Sequence, residues 1–378
     1  MSYLVTRSRW NAVIKSLRQA KSEELSSATD IYLDLGGVLT VRIVVTDKQA
    51  LGLIDRELRW VMTDPVPDPG ATVYLIQDDN VDDFFVRVMG MHQLKEIGDF
   101  NLISVSDESG KLYGGDAGTR PIYYPYAQHN REERTIHIAD GDDYYFVTES
   151  YRPEDWIQKG HIAVQLLFRA LNTRSNSCLV HGACVGLEGK GILMCARGNM
   201  GKSTLAVTAM LDGFEYVSED YLVLEKEESG GLFASPVYSI ITLSPRMYNN
   251  LYDKMDMARF VGISHFKGKY VFDMYSCQDR LRRHYPVRAC LFPEISPEAT
   301  EPSVVPLNLA EKGRAITHIA HSTLFQMWSK GLKQKQNDQE TIIKIIGMVR
   351  DMDFYKIILT PDIHSNAECL RSFVLSLD

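Results

Sequence analysis

The chain has 378 residues, of which 45% are hydrophobic and 24% are charged, and its formal net charge is −8 at pH 7. This length and composition predict one large or two ordinary globular domains, and an acidic chain without a basic stripe argues against nucleic acid as a partner. Six cysteines without C-x-x-C spacing, no signal-peptide pattern and no run of about 18 apolar residues predict a cytoplasmic protein that does not enter a membrane.

The N-terminal part, residues 1–150, is expected to form a β-rich α+β domain. Between residues 8 and 25 apolar side chains recur at helical spacing, at Trp10, Val13, Ile14 and Leu17. From residue 31 to residue 148 the pattern changes to short strands that acidic and Gly-rich turns separate. These strand-like runs are Ile31–Leu33, Thr40–Val45, Thr72–Ile76, Ile136–Ile138 and Tyr144–Val147. The sequence indicates no role for this domain.

A second domain is predicted over residues 151–378. It opens with an amphipathic stretch, residues 153–172, whose apolar positions are Trp156, Ile157, Ile162, Val164, Leu167, Phe168 and Leu171. Such a stretch predicts a helix that packs this domain against the segment before it.

His181 lies in the strand-like run Leu179–Val185. The turn Gly186–Lys190 joins this run to the apolar run Gly191–Cys195, so the pattern predicts a hairpin. A lone histidine in an apolar strand is more often a core residue than a catalyst, and spacing alone favours the core interpretation for His181.

The segment that follows the hairpin reads as a phosphate-binding loop. It keeps the pattern G-x-x-x-x-G-K-[ST] except that Ala196 replaces the first glycine, and it lies between a strand and the helical run Leu205–Leu211. Backbone N–H groups of such a loop and the positive end of the helix bind phosphate oxygens. Lys202 is expected to reach the outer phosphates and Ser203 to bind Mg²⁺. The predicted nucleotide-binding residues are Arg197, Gly198, Asn199, Met200, Gly201, Lys202, Ser203 and Thr204.

An acidic pair, Glu219 and Asp220, closes the short strand that follows this helix. A strand–helix–strand unit is normally a right-handed parallel crossover, so both strands end at one edge of the sheet. We therefore expect the pair beside the phosphate loop, where one carboxylate can hold Mg²⁺ and the other can accept a proton from a hydroxyl. The alternative is a solvated acidic turn.

Further strands and helices are expected downstream. Leu232–Ser244 is strand-like, Ser244 and Pro245 mark a helix start, and the last three predicted elements are a helix over Ile342–Met352, a strand over Phe354–Leu359 and a helix over Asn366–Leu377. Basic residues cluster beyond the acidic pair, at Lys267, Lys269, Arg280, Arg282 and Arg283. They can contact a transferring phosphate or an acidic substrate, or they can simply face solvent.

The stretch from His181 to Leu224 resembles the kinase domain of HPr kinase/phosphorylase and the wider group of HPr-kinase-like serine kinases. The matching motifs are His181-Gly182, the G-K-S/T sequence at Gly201–Thr204, and the paired acidic motif at Ser218–Asp220. The resemblance implies a fold like phosphoenolpyruvate carboxykinase, Mg-ATP as phosphoryl donor and a serine hydroxyl as acceptor. By position, Glu219 takes the place of the catalytic base, Asp220 the second acidic place, and His181 that of the active-site histidine.

Two features depart from this family. Glu219 stands where the family usually has Asp, and the downstream signature of the bifunctional enzymes is missing. We therefore expect an acceptor other than HPr, and a precursor peptide is one concrete option.

We predict an α/β protein in which a phosphoenolpyruvate-carboxykinase-like P-loop kinase domain follows a β-rich α+β domain. It would use ATP and Mg²⁺ to phosphorylate a hydroxyl, preferably of serine, on a peptide, protein or small metabolite. The predicted catalytic residues are Glu219, Asp220, His181 and Lys202, and the predicted metal ligands are Ser203 and Asp220. The alternatives are a nucleotide-sensing or peptide-binding module with weakened catalysis, and a phosphatase or phosphorylase; a homo-oligomer is left open.

Overall fold

A computed structural model of the chain describes residues 3–90, 102–106, 126–130, 134–150, 171, 174, 176–198, 200–252, 261–266, 269–328 and 335–377. The chain divides into two compact units. The first contains Met1–Asp34, Leu39–Asp55 and Met62–Thr173, and the second contains Leu35–Val38, Arg56–Val61 and Arg174–Asp378. The domain boundary expected at residue 150 stays a prediction, because residues 151–170 lie outside the described part. The predicted helix over residues 153–172 falls in the same gap, apart from Leu171.

The elements up to residue 148 form a mixed α/β arrangement. In chain order they are β1 (Tyr3–Thr6), α1 (Arg7–Ala20), α2 (Ser22–Ser26), β2 (Thr29–Leu35), β3 (Leu39–Val45), α3 (Lys48–Leu58), β4 (Met62–Thr63), β5 (Ala71–Gln77), α4 (Val81–Met89), β6 (Leu102–Ser106), β7 (Tyr126–Asn130), β8 (Thr135–Asp140) and β9 (Asp143–Thr148). The strands form one sheet in the order β1-β6-β7-β8-β9-β5-β3-β2-β4.

Helix α1 packs in this unit through the apolar stripe that the sequence predicted. Trp10 and Leu17 are fully buried in a cluster with Phe84 and Phe85 of α4 and with residues of β8 and β9. The five predicted strands are confirmed as β2, β3, β5, β8 and β9. Helices α3 and α4 are not anticipated by the sequence pattern. Asn80 is the N-cap of α4, accepting a hydrogen bond from the backbone N–H of Asp83.

The elements from residue 177 onward are also mixed α/β. In chain order they are β10 (Ser177–His181), β11 (Ala183–Leu187), β12 (Lys190–Met194), α5 (Lys202–Leu211), β13 (Glu215–Ser218), β14 (Tyr221–Lys226), β15 (Leu232–Pro236), β16 (Ile240–Leu243), α6 (Pro245–Tyr252), β17 (Val261–Phe266), β18 (Lys269–Asp273), β19 (Tyr285–Ile295), β20 (Ser303–Pro306), α7 (Leu309–Trp328), α8 (Lys335–Val349), β21 (Asp353–Leu359) and α9 (Ile363–Ser376). The main sheet has the order β10-β14-β15-β19-β12-β11-β13, with β21 beside β19 and β20 beside β21, and β16-β18-β17 form a smaller sheet.

Helices cover both faces of the main sheet. Ile192 and Met194 belong to a core cluster with residues of α5 and α9, whereas Leu193 and Cys195 belong to a cluster with residues of α7 and α8. Successive side chains of a strand point to opposite faces, so the chain must be apolar on both faces from Gly191 to Cys195. This explains its uninterrupted apolar run in the sequence.

Two predicted strands differ in the structure. The run Leu179–Val185 is broken at Gly182 into β10 and β11, and the run Leu232–Ser244 forms β15 and β16, which belong to different sheets. The last three predicted elements are confirmed as α8, β21 and α9, and Ser244 caps α6 by accepting a hydrogen bond from the N–H of Met247. Within the described residues, the helices are all too short or too polar to cross a membrane.

A candidate active site at the phosphate loop

A tight hairpin leads the chain into the predicted phosphate loop. Strands β11 and β12 pair antiparallel, with Ala183 opposite Met194 and Leu187 opposite Lys190. Glu188 and Gly189 form the turn, and both have positive φ, 52° and 77°. Such turns match the right-handed twist of the paired strands. The predicted hairpin is confirmed, and it delivers β12 to the edge where the loop begins.

The loop itself joins β12 to helix α5. Gly201 precedes the helix with a φ of 89°, a backbone angle that favours glycine, and a Cβ added there would lie 2.7 Å from Leu359 Cδ1. Ala196 is 6% exposed at the start of the loop, whereas Arg197 and Gly198 are exposed. Asn199 lies outside the described residues. The predicted strand–loop–helix arrangement is confirmed, and phosphate binding by the loop stays a prediction.

Lys202, the first residue of α5, is a buried cation. The residue is 9% exposed, and its Nζ lies 3.4 Å from Nε2 of His181. Among the described residues, none of the carboxylates is within ion-pair distance of this ammonium. The carboxylate of Asp220 lies on the other side of the same imidazole nitrogen, 3.0 Å from it. The N-terminal end of a helix adds positive potential, so the surroundings of Lys202 still favour an anion.

His181 meets Asp220 across a pair of strands. Its Nε2 lies 3.0 Å from Oδ1 of Asp220, and the two strands β10 and β14 place His181 opposite Tyr221. The His181 N–H donates to Oγ1 of Thr323 at 3.0 Å, which fixes the backbone of the histidine against α7. The other ring nitrogen, Nδ1, is buried and has no hydrogen-bond partner in the described part of the chain.

The acidic pair forms the turn between β13 and β14. The N–H of Tyr221 donates to the carbonyl of Glu219 at 2.8 Å, and Asp220 between them has a φ of 68°. This three-residue γ-turn is strained for a residue with a side chain. Glu219 is 7% exposed, whereas the side chain of Asp220 is 50% exposed. The two carboxylates therefore occupy unlike surroundings.

Two buried tyrosines adjoin the acidic turn. Burial raises the pKa of the Tyr216 hydroxyl, and the charges of Glu219 and Asp220 raise it further. Burial and the charge of Asp220 raise the pKa of Tyr221 in the same way. Both phenols are therefore neutral at physiological pH and add no negative charge to the site.

A bend shared by two strand pairs brings these residues together. Gly182 alone separates β10 from β11, and the acidic pair alone separates β13 from β14. Hydrogen bonding continues on both sides of the bend, with His181 opposite Tyr221 and Cys184 opposite Ser218. The N–H of Gly182 donates to the carbonyl of Asp220 at 3.1 Å. A Cβ at Gly182 would lie 3.1 Å from the carbonyl oxygen of Met194 and 3.3 Å from Sγ of Cys195.

The topology accounts for the position of the acidic turn. Strand β11 lies between β12 and β13 and is antiparallel to both, so β12 and β13 are parallel to each other. Their carboxyl ends lie at one edge, as the crossover predicted, and ligands of α/β sheets commonly bind there. The structure thus brings Lys202, His181 and Asp220 into contact, with Glu219 adjacent in the turn.

The remaining predicted residues have separate contacts. Ser203 is partly buried in the first turn of α5, and Thr204 donates from Oγ1 to Sδ of Met247 at 2.7 Å. No cluster of three or more His, Cys, Asp or Glu side chains suited to a metal ion occurs within the described residues.

The described arginines of the basic cluster contact other parts of the chain and not the phosphate loop or the acidic pair. Arg280 donates to the carbonyl of Gly213 at 2.8 Å, and Arg282 donates to Glu215 at 2.7 Å, both near the start of β13 and away from its acidic end. Arg283 lies over the ring of Trp60, 5.3 Å from its centroid. Lys267 and the side chain of Lys269 fall outside the described part. The described arginines therefore stabilise the fold.

His318 of α7 is a neighbour of the site that the sequence analysis misses. Burial lowers the pKa of His318, an interaction with the backbone of Ala196 at the start of the loop raises it, and the charges of Arg197, His181 and His321 lower it further. No motif marks a single histidine on an amphipathic helix, so nothing in the sequence could have found it.

Comparisons with known proteins give a weak likeness at the level of fold. A scan against family models and a search of curated proteins found no match. Among solved structures, the chain is similar to the HPr(Ser) kinase/phosphatase from Coxiella burnetii, with 12% sequence identity and a TM-score of 0.28, over 52% of this chain and 96% of that chain. A likeness of this size carries no argument about activity. The structure itself gives a mixed α/β protein with several sheets.

Proposed function

We propose that the chain is an ATP-dependent kinase that transfers the γ-phosphoryl group to a hydroxyl of a peptide, protein or small metabolite, with serine as the preferred acceptor. The observation that carries the proposal is the buried ammonium of Lys202, which has His181 rather than a carboxylate beside it at the start of α5. Nucleotide phosphates supply the negative charge that such a position lacks. The finer assignment of the fold as phosphoenolpyruvate-carboxykinase-like belongs to this proposal.

The residues of the site fit Mg-ATP. Gly201, with its positive φ, turns the chain so that α5 starts directly after the loop, and Lys202 and Ser203 are the first two residues of that helix. Ser203 and Asp220 would hold Mg²⁺, which usually takes only one or two protein ligands besides phosphate oxygens and water. When bound, the metal ion neutralises charge on the phosphate oxygens.

Each side chain then has a distinct role in the proposed transfer. Lys202 leaves the ring of His181 and pairs with the outer phosphates, which frees Nε2 of His181 for its bond with Asp220. Glu219 accepts the proton of the acceptor hydroxyl, whose oxygen forms the new bond to the γ-phosphorus as the bond to the departing diphosphate breaks. Phosphoryl transfer depends mainly on positioning and electrostatics, so these few groups can suffice.

One observation favours a second candidate, a nucleotide-binding module with weak or no catalysis. Glu219 is only 7% exposed, so an acceptor hydroxyl has little access to the proposed base. Glu219 also occupies a place where the resembling kinases usually have Asp, and Ala196 one where the loop pattern has Gly. A sensor would keep Lys202 and the loop while losing an efficient base.

Labelled phosphate transfer tests the two candidates. The full chain is incubated with γ-labelled Mg-ATP and a random peptide library that contains one fixed serine, and a matched library carries alanine at that position. The kinase predicts label in the serine library only, and none with Lys202→Met. ATP binding by the wild type without label transfer supports the binding module. Label released from phosphopeptides by added phosphate or pyrophosphate points instead to a phosphorylase.

A further inference from the structure

Ile295, the last residue of β19, is an apolar side chain that lies largely in solvent. It is 46% exposed, whereas Leu291, four residues earlier on the same face of the strand, is fully buried. Leu291 belongs to the core cluster that includes residues of α5 and α9, and Phe292, on the opposite face, packs against the other cluster. Ile295 therefore continues the apolar row on the α5 face of the sheet beyond the end of the core.

This exposed side chain adjoins the phosphate loop. A Cβ added at Gly201 would lie 3.6 Å from Cγ1 and 3.7 Å from Cδ1 of Ile295. Leu359 of β21, which pairs with Ile295, approaches the same point even more closely, at 2.7 Å. Because Leu359 is 4% exposed, Ile295 is the one of these two side chains that a ligand of the loop can contact.

The order of the strands separates Ile295 from the acidic pair. Strands β13, β11, β12 and β19 are consecutive in the main sheet, and β12 and β19 are parallel. Glu219 and Asp220 follow β13, so they and Ile295 lie at the same edge of the sheet, on opposite sides of the strand that leads into the loop. Neighbouring strands are about 4.8 Å apart, so three spacings put about 14 Å between the two strand ends across the sheet.

A nucleoside triphosphate has phosphates at one end and a flat base with apolar faces at the other. In the proposed transfer the γ-phosphoryl group faces the acceptor hydroxyl, and therefore the acidic pair. The nucleoside end is then directed across the loop, toward β19 and Ile295. Covering exposed apolar surface with an apolar group is favourable, and cofactor sites are lined mainly by such side chains.

We propose that Ile295 forms an apolar contact with the base of the nucleotide whose phosphates bind at the loop. The nucleotide itself belongs to the proposed function, on which this contact rests. A branched aliphatic side chain offers no hydrogen bond, so Ile295 adds affinity for a base without selecting adenine over guanine.

Inorganic triphosphate separates this contact from phosphate binding, because it has the phosphates but no nucleoside. Ile295→Ser removes most of the apolar surface, and Ile295→Val keeps most of it. Leu309→Ser is the matched control, since Leu309 is 88% exposed in the same compact unit. The measurements are the Kd for Mg-ATP and for Mg-triphosphate by calorimetric titration, with the thermal midpoint of each variant.

A second measurement uses the wild-type chain alone. Photolysis with 8-azido-ATP labels residues close to the base, and unlabelled ATP competes with the specific part of the label. Trypsin cuts after Arg288 and Lys312, so the segment that contains Ile295 is released as the peptide 289–312. We expect competed label in this peptide.

Ile295→Ser should weaken Mg-ATP binding by about three- to tenfold, as expected for the exposed apolar surface of one side chain, and leave Mg-triphosphate binding within about twofold of the wild type. Ile295→Val and Leu309→Ser should bind both ligands like the wild type. Unchanged Mg-ATP affinity in Ile295→Ser, equal losses for both ligands, or competed label confined to other peptides would overturn the contact while leaving the proposed function standing. A wild type that binds neither ligand would refute the proposed function and the contact together.

Discussion

Oδ1 of Asp220 lies 3.0 Å from Nε2 of His181, and the same nitrogen lies 3.4 Å from Nζ of Lys202. One imidazole nitrogen cannot donate to the carboxylate and accept from the ammonium at the same time. The contact between His181 and Asp220 is the shorter of the two, so Lys202 is the partner that a phosphate can remove at the lower cost.

Replacing Lys202 by Met should change ligand binding and stability in opposite directions. The variant loses a charge-assisted contact with phosphate, so the Kd for Mg-ATP should rise about 10- to 100-fold and turnover should vanish. Without ligand, the variant should be more stable by about 1 kcal/mol, because it removes a buried ammonium for which the described residues offer no carboxylate within ion-pair distance. Calorimetric titration and denaturant unfolding measure the two quantities, and wild-type turnover in the variant would exclude the loop as the active site.

Glu219→Gln should separate binding from transfer. The amide keeps the size and hydrogen bonding of the side chain but cannot take up a proton, so Mg-ATP should bind normally while transfer falls by about 10²–10⁴-fold. Glu219→Asp tests whether the site has adapted to the longer side chain. Turnover below that of the wild type means that the geometry of the site suits Glu, and turnover above it means that Glu219 weakens catalysis. Full activity in both variants returns Glu219 to a structural role in the turn.

Substitutions at Asp220 should distinguish its charge from its backbone angle. Asp220→Asn tolerates the φ of 68°, so it should fold like the wild type while requiring more Mg²⁺ and transferring phosphate more slowly. Asp220→Ala should show the same kinetic defect and, in addition, lose about 1 kcal/mol of stability. Unfolding curves and Mg²⁺ titrations of turnover provide the measurements. Equal stability of the two variants would contradict the strain assigned to this turn.

Lys344 of α8 should make stability depend on pH. Burial lowers its pKa from 10.5 to about 8, against the opposing effect of Cys178, and its ammonium donates to the carbonyl of Arg174. Between the folded and unfolded pKa values only the unfolded chain carries the proton, so stability rises with pH from about 8 to 10.5 and the penalty is complete below 8.

Lys344→Met removes this penalty. It should raise the free energy of unfolding by about 1 kcal/mol at pH 7, after allowance for solvent screening and the lost hydrogen bond. The gain should shrink toward zero as the pH approaches 10.5. Denaturant midpoints at pH 7 and at alkaline pH test this, with Lys226→Met, at the exposed ion pair with Asp351, as the control. A gain that does not vary with pH would contradict the buried-charge explanation.

Local patterns account for much of what the sequence predicts correctly. The apolar run of β12, the glycine before α5 and the acidic turn after β13 each follow from the conformational preferences of a few neighbouring residues. The crossover rule then places Glu219 and Asp220 at the edge where the loop starts. Strand β11 lies between β12 and β13, which the crossover rule does not anticipate. Because β11 pairs antiparallel with both, β12 and β13 are still parallel and end at the same edge.

Long-range relationships are what the sequence does not reveal. His318 is one of several polar residues on α7, and only the folded chain places it near Ala196. The segments Leu35–Val38 and Arg56–Val61 belong to the second compact unit although they lie far from it in sequence. The break at Gly182 is also hidden, since the residues on both sides are apolar and strand-like.

Gly182 carries no functional group, yet mutational tolerance at this position should be as low as at His181, its proposed catalytic neighbour. Any side chain would press on the Met194 carbonyl and the sulfur of Cys195, which lie directly before the phosphate loop. Gly182→Ala should therefore reduce Mg-ATP affinity by displacing the loop, while the chemistry of His181 is left in place. In a library scored only for activity, positions 181 and 182 would look alike. Nucleotide affinity measured against thermal stability would distinguish the proposed catalytic histidine from the glycine that leaves space beside the loop.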